Sequence, residues 1–273
     1  MEGWNGLMTL LLGRKYVQVF RFGQRVNPYR KMIEWLLDLP LWQLRAAGAA
    51  EAGLGLAVLQ KVPLEVTTLY RLVASGYAGI DPGWREWFYP EAHDAFDHAP
   101  SNSLRKGGDV LDLGCGVGAN LARFRALNQP YGSYTGVDLT DAMLQRAIQR
   151  YDNLPHVKFQ QLDLLNDPLP TGPYDLIVST WVFEHLPDPG KVAEKAWERL
   201  KPGGYMVLLF EDQTQSFLSG VINWVYSFIG AQLIGESEYR QFPGEVVSEE
   251  HFSGPLGDLV LLVLKKSEIP DQG

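Results

Sequence analysis

The chain has 273 residues, 46% of them hydrophobic, and carries 24 Lys+Arg against 32 Asp+Glu for a formal charge of −8. That length and apolar content suffice for one large core with additions, and the acidic balance argues against general attraction to nucleic acid. A single cysteine, Cys115, excludes an internal disulfide and a multi-cysteine zinc site, and fits a reducing, cytoplasmic setting.

Residues 1–31 hold Arg14, Lys15, Arg21, Arg25, Arg30 and Lys31 against Glu2, a local +5 that leaves −13 for the remainder. The apolar run from Gly6 to Gly13 is short and precedes the positive residues, the reverse of a secretory leader. Targeting and membrane contact stay open, with a basic helix packed on its own domain preferred. Prolines at 28, 40, 63, 82 and 90 interrupt helical periodicity, which predicts helices over 6–22, 29–38, 41–61 and 64–75. Residues 1–103 are expected to form a helical cap. Its last part combines Trp84, Trp87, Phe88 and Tyr89 with Glu91, His93, Asp94, Asp97 and His98, and suggests a polar lid helix that closes over cofactor or acceptor. The pairs His93/Asp97 and Asp94/His98 have the i,i+4 spacing of metal ligands, but such density is ordinary on a solvated face, and no metal is assigned.

From residue 109 the pattern alternates: strand 109–113, helix 118–127, strand 133–138, helix 140–151, strands 156–161 and 174–179, helix 189–200, strand 204–211. This predicts a doubly wound, mostly parallel α/β sheet with its ligand at the carboxyl ends of the strands. Residues 245–252 and 258–265 read as an antiparallel hairpin closing the sheet, and 268–273 as a tail. Between the last parallel strand and the hairpin, Phe217 to Gly235 contains no charged residue. Its apolar positions, Trp224 and Phe228 among them, gather on one side, so an amphipathic helix over 216–235 is preferred to a membrane span. An acceptor pocket or a membrane surface would each suit that stripe. The surrounding 216–244 is expected to be an insertion on the acceptor side.

The richest stretch is Val110-Leu-Asp-Leu-Gly-Cys-Gly-Val-Gly-Ala-Asn-Leu121, a buried strand entering a glycine turn that opens a helix. Gly114, Gly116 and Gly118 permit a sharp turn and close ligand approach, and the helix start offers N–H groups to an anion. The spacing is GxGxG, whereas a dinucleotide site would place a third glycine where Asn120 stands. Asp112 sits at the strand end, where a carboxylate can meet a ligand ammonium, which points to S-adenosylmethionine over a nicotinamide.

Residues 104–267 resemble the class I S-adenosylmethionine-dependent methyltransferases, with five segments in family order. The resemblance implies that Asp112, Gly114, Cys115 and Gly116 line the cofactor, that Asp138 with Leu139 meets the ribose, and that Asp163 and Leu164 meet the adenine. Tyr174 to Ser179 resembles the fourth strand, with Ser179 at the cofactor, and Leu200-Lys-Pro-Gly-Gly204 the loop before the fifth. In the segment that follows Ser179, Trp181 would wall the acceptor pocket. Glu184 and His185 are candidate bases, although Glu-His-Leu-Pro is also the family's ordinary helix entry. Trp224 and Phe228 complete the expected acceptor side. A faint likeness of residues 226–230 and 238–243 to quinone-biosynthesis C-methyltransferases, together with the uncharged helix, favours a hydrophobic small molecule as acceptor. A binding protein without catalysis and a nicotinamide oxidoreductase are the alternatives.

Overall fold

The computed structural model describes residues 67, 68, 70, 71, 74, 89–104, 107–213, 231–254 and 257–268. The expected helices 6–22, 29–38 and 41–61, together with Trp84, Trp87, Phe88, Trp224 and Phe228, lie outside the described residues. Thr67, Thr68, Tyr70, Arg71 and Ala74 are helical, as the 64–75 pattern predicts.

The elements in chain order are α1 (Pro90–Ser103), β1 (Gly108–Leu113), α2 (Ala119–Ala126), β2 (Tyr131–Asp138), α3 (Asp141–Tyr151), β3 (Val157–Gln161), β4 (Tyr174–Thr180), a 3-10 turn (Phe183–His185), α4 (Pro189–Glu198), β5 (Leu200–Asp212), α5 (Glu236–Tyr239), β6 (Glu245–Gly254) and β7 (Gly257–Lys265). The strands form one sheet in the order β3-β2-β1-β4-β5-β7-β6. β1 to β5 run parallel, and β7 pairs antiparallel with both β5 and β6. The fold is therefore the expected one, a mostly parallel seven-stranded sheet ending in an antiparallel hairpin.

Period-two alternation sends neighbouring apolar residues to opposite faces, and here both faces are dry. Leu111, Leu113, Ile177, Met206, Leu208, Val260 and Leu262 share one core with Val192, Ala193 and Ala196 of α4. Val110, Leu176, Val178, Val207, Leu209, Leu259 and Leu261 share the other with Ala92 and Phe96 of α1 and Leu121 and Phe124 of α2. Each fully buried side chain of this size contributes about 1.5–3 kcal/mol relative to exposure.

Three expectations change. The described end of the aromatic lid, α1, lies on the sheet: Tyr89 and His93 are 3% and 1% exposed, and Asp97 is buried in an ion pair with Arg123. The apolar residues of this helix pack in the same core as β5 and β7, and it ends at Ser103, where the expected cap boundary falls. Next, Leu200-Lys-Pro-Gly-Gly204 belongs to β5 itself; Leu200 pairs with Tyr174, and a register irregularity before Leu176 absorbs the glycines. Finally, the expected helix 216–235 does not reach its end. Ile234 bridges Asp212 in parallel fashion, and Gln232 N–H donates to the Glu184 carbonyl at 2.6 Å, so residues 231–235 are not helical.

Candidate active site

Chain order reverses between β1 and β4, because β2 and β3 extend the sheet one way and β4 and β5 the other. The loops leaving these strands diverge there and open a crevice at their carboxyl ends. A cleft open to solvent occupies this place. Its walls are Gly114–Val117 after β1, Asp138–Thr140 after β2, Asp163 and Leu164 after β3, Thr180–Val182, His185 and Leu186 after β4, with Ala119, Asn120, Met143 and Tyr70.

The glycine turn is fixed by its backbone. Gly114 has φ +69° and Gly116 φ +52°, the left-handed region that favours glycine. A Cβ on Gly114 would also stand 2.2 Å from Val182 Cγ2, so the turn packs directly against the loop after β4. Asp138 closes the turn onto the second strand by accepting Gly116 N–H at 2.9 Å and Thr140 N–H at 2.8 Å. An ionised carboxylate has about four acceptor positions, and the Thr140 side chain also bonds this one, so about one remains for a ligand hydroxyl. Burial raises the Asp138 pKa, opposed by those backbone N–H bonds. Burial also pushes up the Cys115 thiol, with Asp112 and Asp138 adding to it, so Cys115 lines the cleft as a neutral, unreactive group.

Asp163 spends most of its carboxylate on its own turn. It accepts from Leu165 N–H at 2.9 Å, Asn166 N–H at 3.2 Å and the Asn166 side-chain amide at 2.9 Å. Burial raises its pKa, but the Asn166 and Leu165 bonds outweigh that and leave it lowered. About one acceptor position is left, enough for an amino group. Leu164 beside it is buried and presents an apolar wall, and Leu139 is half exposed across the cleft.

Two expected cofactor residues sit behind the wall. Asp112 is fully buried, takes Asn120 Nδ2 at 3.0 Å on one oxygen and the Tyr134 hydroxyl on the other, and does not line the cleft. Burial and Asp112 both raise the Tyr134 pKa, keeping its hydroxyl a donor. The carboxylate that the sequence suggests for a ligand ammonium is instead bonded to Asn120, which lines the cleft and also donates to Thr180 Oγ1 at 3.2 Å. Ser179 is 1% exposed and donates to the Leu113 carbonyl at 2.9 Å, which ties β4 to β1.

At the other end, Trp181 lines the cleft with φ +59°, unusual for a bulky residue, and its ring lies 5.4 Å from Tyr89 and 6.0 Å from His93. His185 lines it as well, its Nε2 hydrogen-bonded to the Tyr70 hydroxyl at 3.1 Å. Glu184 does not: it is 2% exposed, burial and neighbouring Glu211 raise its pKa well above the ordinary range, and Oε2 has no hydrogen-bond partner among the described residues. Of the two candidate bases, His185 lines the cleft and Glu184 does not. Nothing in the sequence singles out Tyr70, an aromatic in a helical segment, and Asn120 registers only as a glycine missing from a dinucleotide pattern.

Residues 111–206 match a family profile described as a methyltransferase domain. That segment, about a third of the chain, is thus similar to a methyltransferase domain. The ubiquinone/menaquinone biosynthesis C-methyltransferase of Pasteurella multocida is 29% identical over 54% of this chain and 58% of that one. The trans-aconitate 2-methyltransferase of Deinococcus radiodurans is 32% identical over 46% and 48%. This chain spans 32% to 62% of the length of the first four curated relatives it matches. The N-methyltransferase NodS of Bradyrhizobium japonicum, solved with S-adenosyl-L-homocysteine, superposes with a TM-score of 0.55 at 19% identity, covering 72% of this chain and 98% of that one. These likenesses make the fold that of the S-adenosylmethionine-dependent methyltransferases and S-adenosylmethionine its implied cofactor. The residues fit that group: the carboxylates of Asp138 and Asp163 keep free acceptor positions, the glycine turn permits close approach, and Leu164 supplies an apolar face.

Proposed function

We propose that this protein transfers the methyl group of S-adenosylmethionine to a hydrophobic small molecule held between Tyr70, Trp181, Val182, His185 and Leu186. One observation carries the reading: a single cleft joins the Asp138 and Asp163 end to an aromatic and aliphatic end that has one histidine as its base. The cofactor supplies a methyl group already activated on a sulfonium, so the protein has mainly to align, to desolvate and, for a protonated nucleophile, to accept a proton. Alignment alone can be worth about 7–11 kcal/mol. His185 is the proton acceptor in this reading, and the Tyr70 hydroxyl at Nε2 holds its ring. Trp181, Val182 and Leu186 exclude water and select an apolar acceptor. Relatives named for a quinone pathway and for trans-aconitate support a small molecule as acceptor.

The test is incubation of the full chain with methyl-labelled S-adenosylmethionine and a fractionated cell extract. Label should enter the organic phase, and His185→Gln should lower turnover by about 10²–10⁴-fold, the usual worth of a general base, with S-adenosylhomocysteine affinity nearly unchanged. Tyr70→Phe should fall between the two. Label confined to polar products would reject the apolar acceptor. Binding of S-adenosylhomocysteine without any labelled product would favour a non-catalytic binding protein.

A further inference from the structure

α4 contributes no side chain to the cleft wall, yet one of its residues grips a loop that does. Lys195 Nζ donates to the carbonyl oxygens of Leu164 at 2.6 Å, Leu165 at 3.2 Å and Asp167 at 2.7 Å. An ammonium has three donors, so all of them are directed at one five-residue turn. Lysines that only cover apolar surface leave their heads in water. Burial lowers the Lys195 pKa, with Lys191 adding to it and Asp163 and Asp167 opposing, the mark of an ammonium partly withdrawn from solvent.

The turn needs such an anchor because of where it lies. β3 is the outermost parallel strand, so the loop leaving it has a neighbouring strand on one side only. Its internal bonds set its shape: Asp167 N–H donates to the Asp163 carbonyl at 2.9 Å, and Asp163 N–H to Asp167 Oδ2 at 2.9 Å. None of these bonds fixes the turn relative to the sheet. Lys195 does so alongside the buried Leu164 side chain, by joining the turn's carbonyls to a helix whose Val192, Ala193 and Ala196 lie in the same core.

We propose that Lys195 is a positioning residue of the adenine subsite, holding the Asp163–Leu164 turn so that the remaining acceptor position of Asp163 meets an amino group. This rests on the reading above that S-adenosylmethionine binds with its base at this turn. A carbonyl in place of the amino group would face a carboxylate with nothing to donate, so the anchored turn discriminates between the two bases.

The measurement is calorimetric titration of the full-length protein, Lys195→Met and Lys195→Arg with S-adenosylhomocysteine and with S-inosylhomocysteine, in which an oxo group replaces the adenine amino group. Melting temperatures are taken in parallel. The unaltered protein should prefer S-adenosylhomocysteine by about tenfold or more, as expected for a bond to a charged group. Lys195→Met should bring the two dissociation constants within about threefold of each other, chiefly by weakening S-adenosylhomocysteine, and Lys195→Arg should recover part of the preference. A Lys195→Met protein that melts lower but keeps the original ratio overturns the proposal, since a merely structural lysine would behave so. Equal binding of both ligands by the unaltered protein overturns the Asp163 assignment and this proposal with it. Binding of neither overturns the function proposed above.

Discussion

The two ends of the cleft are held in different ways. At the cofactor end, Asp138 takes two backbone N–H groups, Asp163 two more, and the glycine turn fits because side chains are absent from it. At the acceptor end the contacts are between side chains, and the Tyr70–His185 bond joins residues 115 positions apart. A main-chain site is written as short local motifs, whereas a side-chain site depends on how distant segments meet. The ends touch where Gly114 packs on Val182.

Breaking that contact should have the largest effect. In Gly114→Ala the new Cβ meets Val182 at 2.2 Å on a backbone with φ +69°. Left-handed strain of about 1–2 kcal/mol adds to overpacking of about 1–3 kcal/mol, so S-adenosylhomocysteine binding should be nearly lost in calorimetry. Adding Val182→Ala should restore the steric part and leave the strain. Full recovery in the double variant would show that the turn tolerates a side chain and that glycine is there only for room.

Asp138 tests the cofactor end by itself. Asp138→Ala should weaken S-adenosylhomocysteine by about 1.5–3 kcal/mol, the worth of hydrogen bonds to a charged group. Burial raises the Asp138 pKa above 3.8, so the proton returns on acidification at a higher pH than for an ordinary aspartate. The protonated carboxyl loses acceptor positions, and affinity should therefore decline as pH falls through that raised pKa. Asp138→Asn should remove this dependence. Identical pH profiles for the two proteins would remove Asp138 from the ligand's reach.

Most of the cofactor end can be read in the sequence for this physical reason. Gly114, Asp138 and Asp163 each end or follow a strand, and their partners lie within a few residues or in the turn after the neighbouring strand. Asp112 is the exception: its place at a strand end is legible, but not that Tyr134, a partner on β2, occupies it. At the described end of the expected lid, charge pattern alone could not tell a solvated face from a buried ion pair; Asp97 is polar and yet paired with Arg123. Tyr70 was invisible because nothing local distinguishes an aromatic that reaches a histidine from one that fills a core.

The smallest effect is expected behind the acceptor wall, and it has the opposite pH sign. Glu184 and Glu211 are buried together, 2% and 5% exposed, and burial followed by the charge of Glu211 raises the Glu184 pKa. A raised folded-state pKa contributes stability below the unfolded value, and that stability is lost as pH rises through the folded value, where the native state must give up a proton it prefers to keep. Over that window the slope reaches at most about 1.4 kcal/mol per pH unit for one proton. Glu184→Gln keeps the shape and removes the titration, so its melting temperature should stay level on alkalinisation while that of the unaltered protein falls. Because Glu184 does not line the cleft, turnover should change little in the variant. A large drop in turnover with unchanged stability would instead return Glu184 to the chemistry and set the acceptor end closer to the carboxylate-built cofactor end than its side-chain contacts imply.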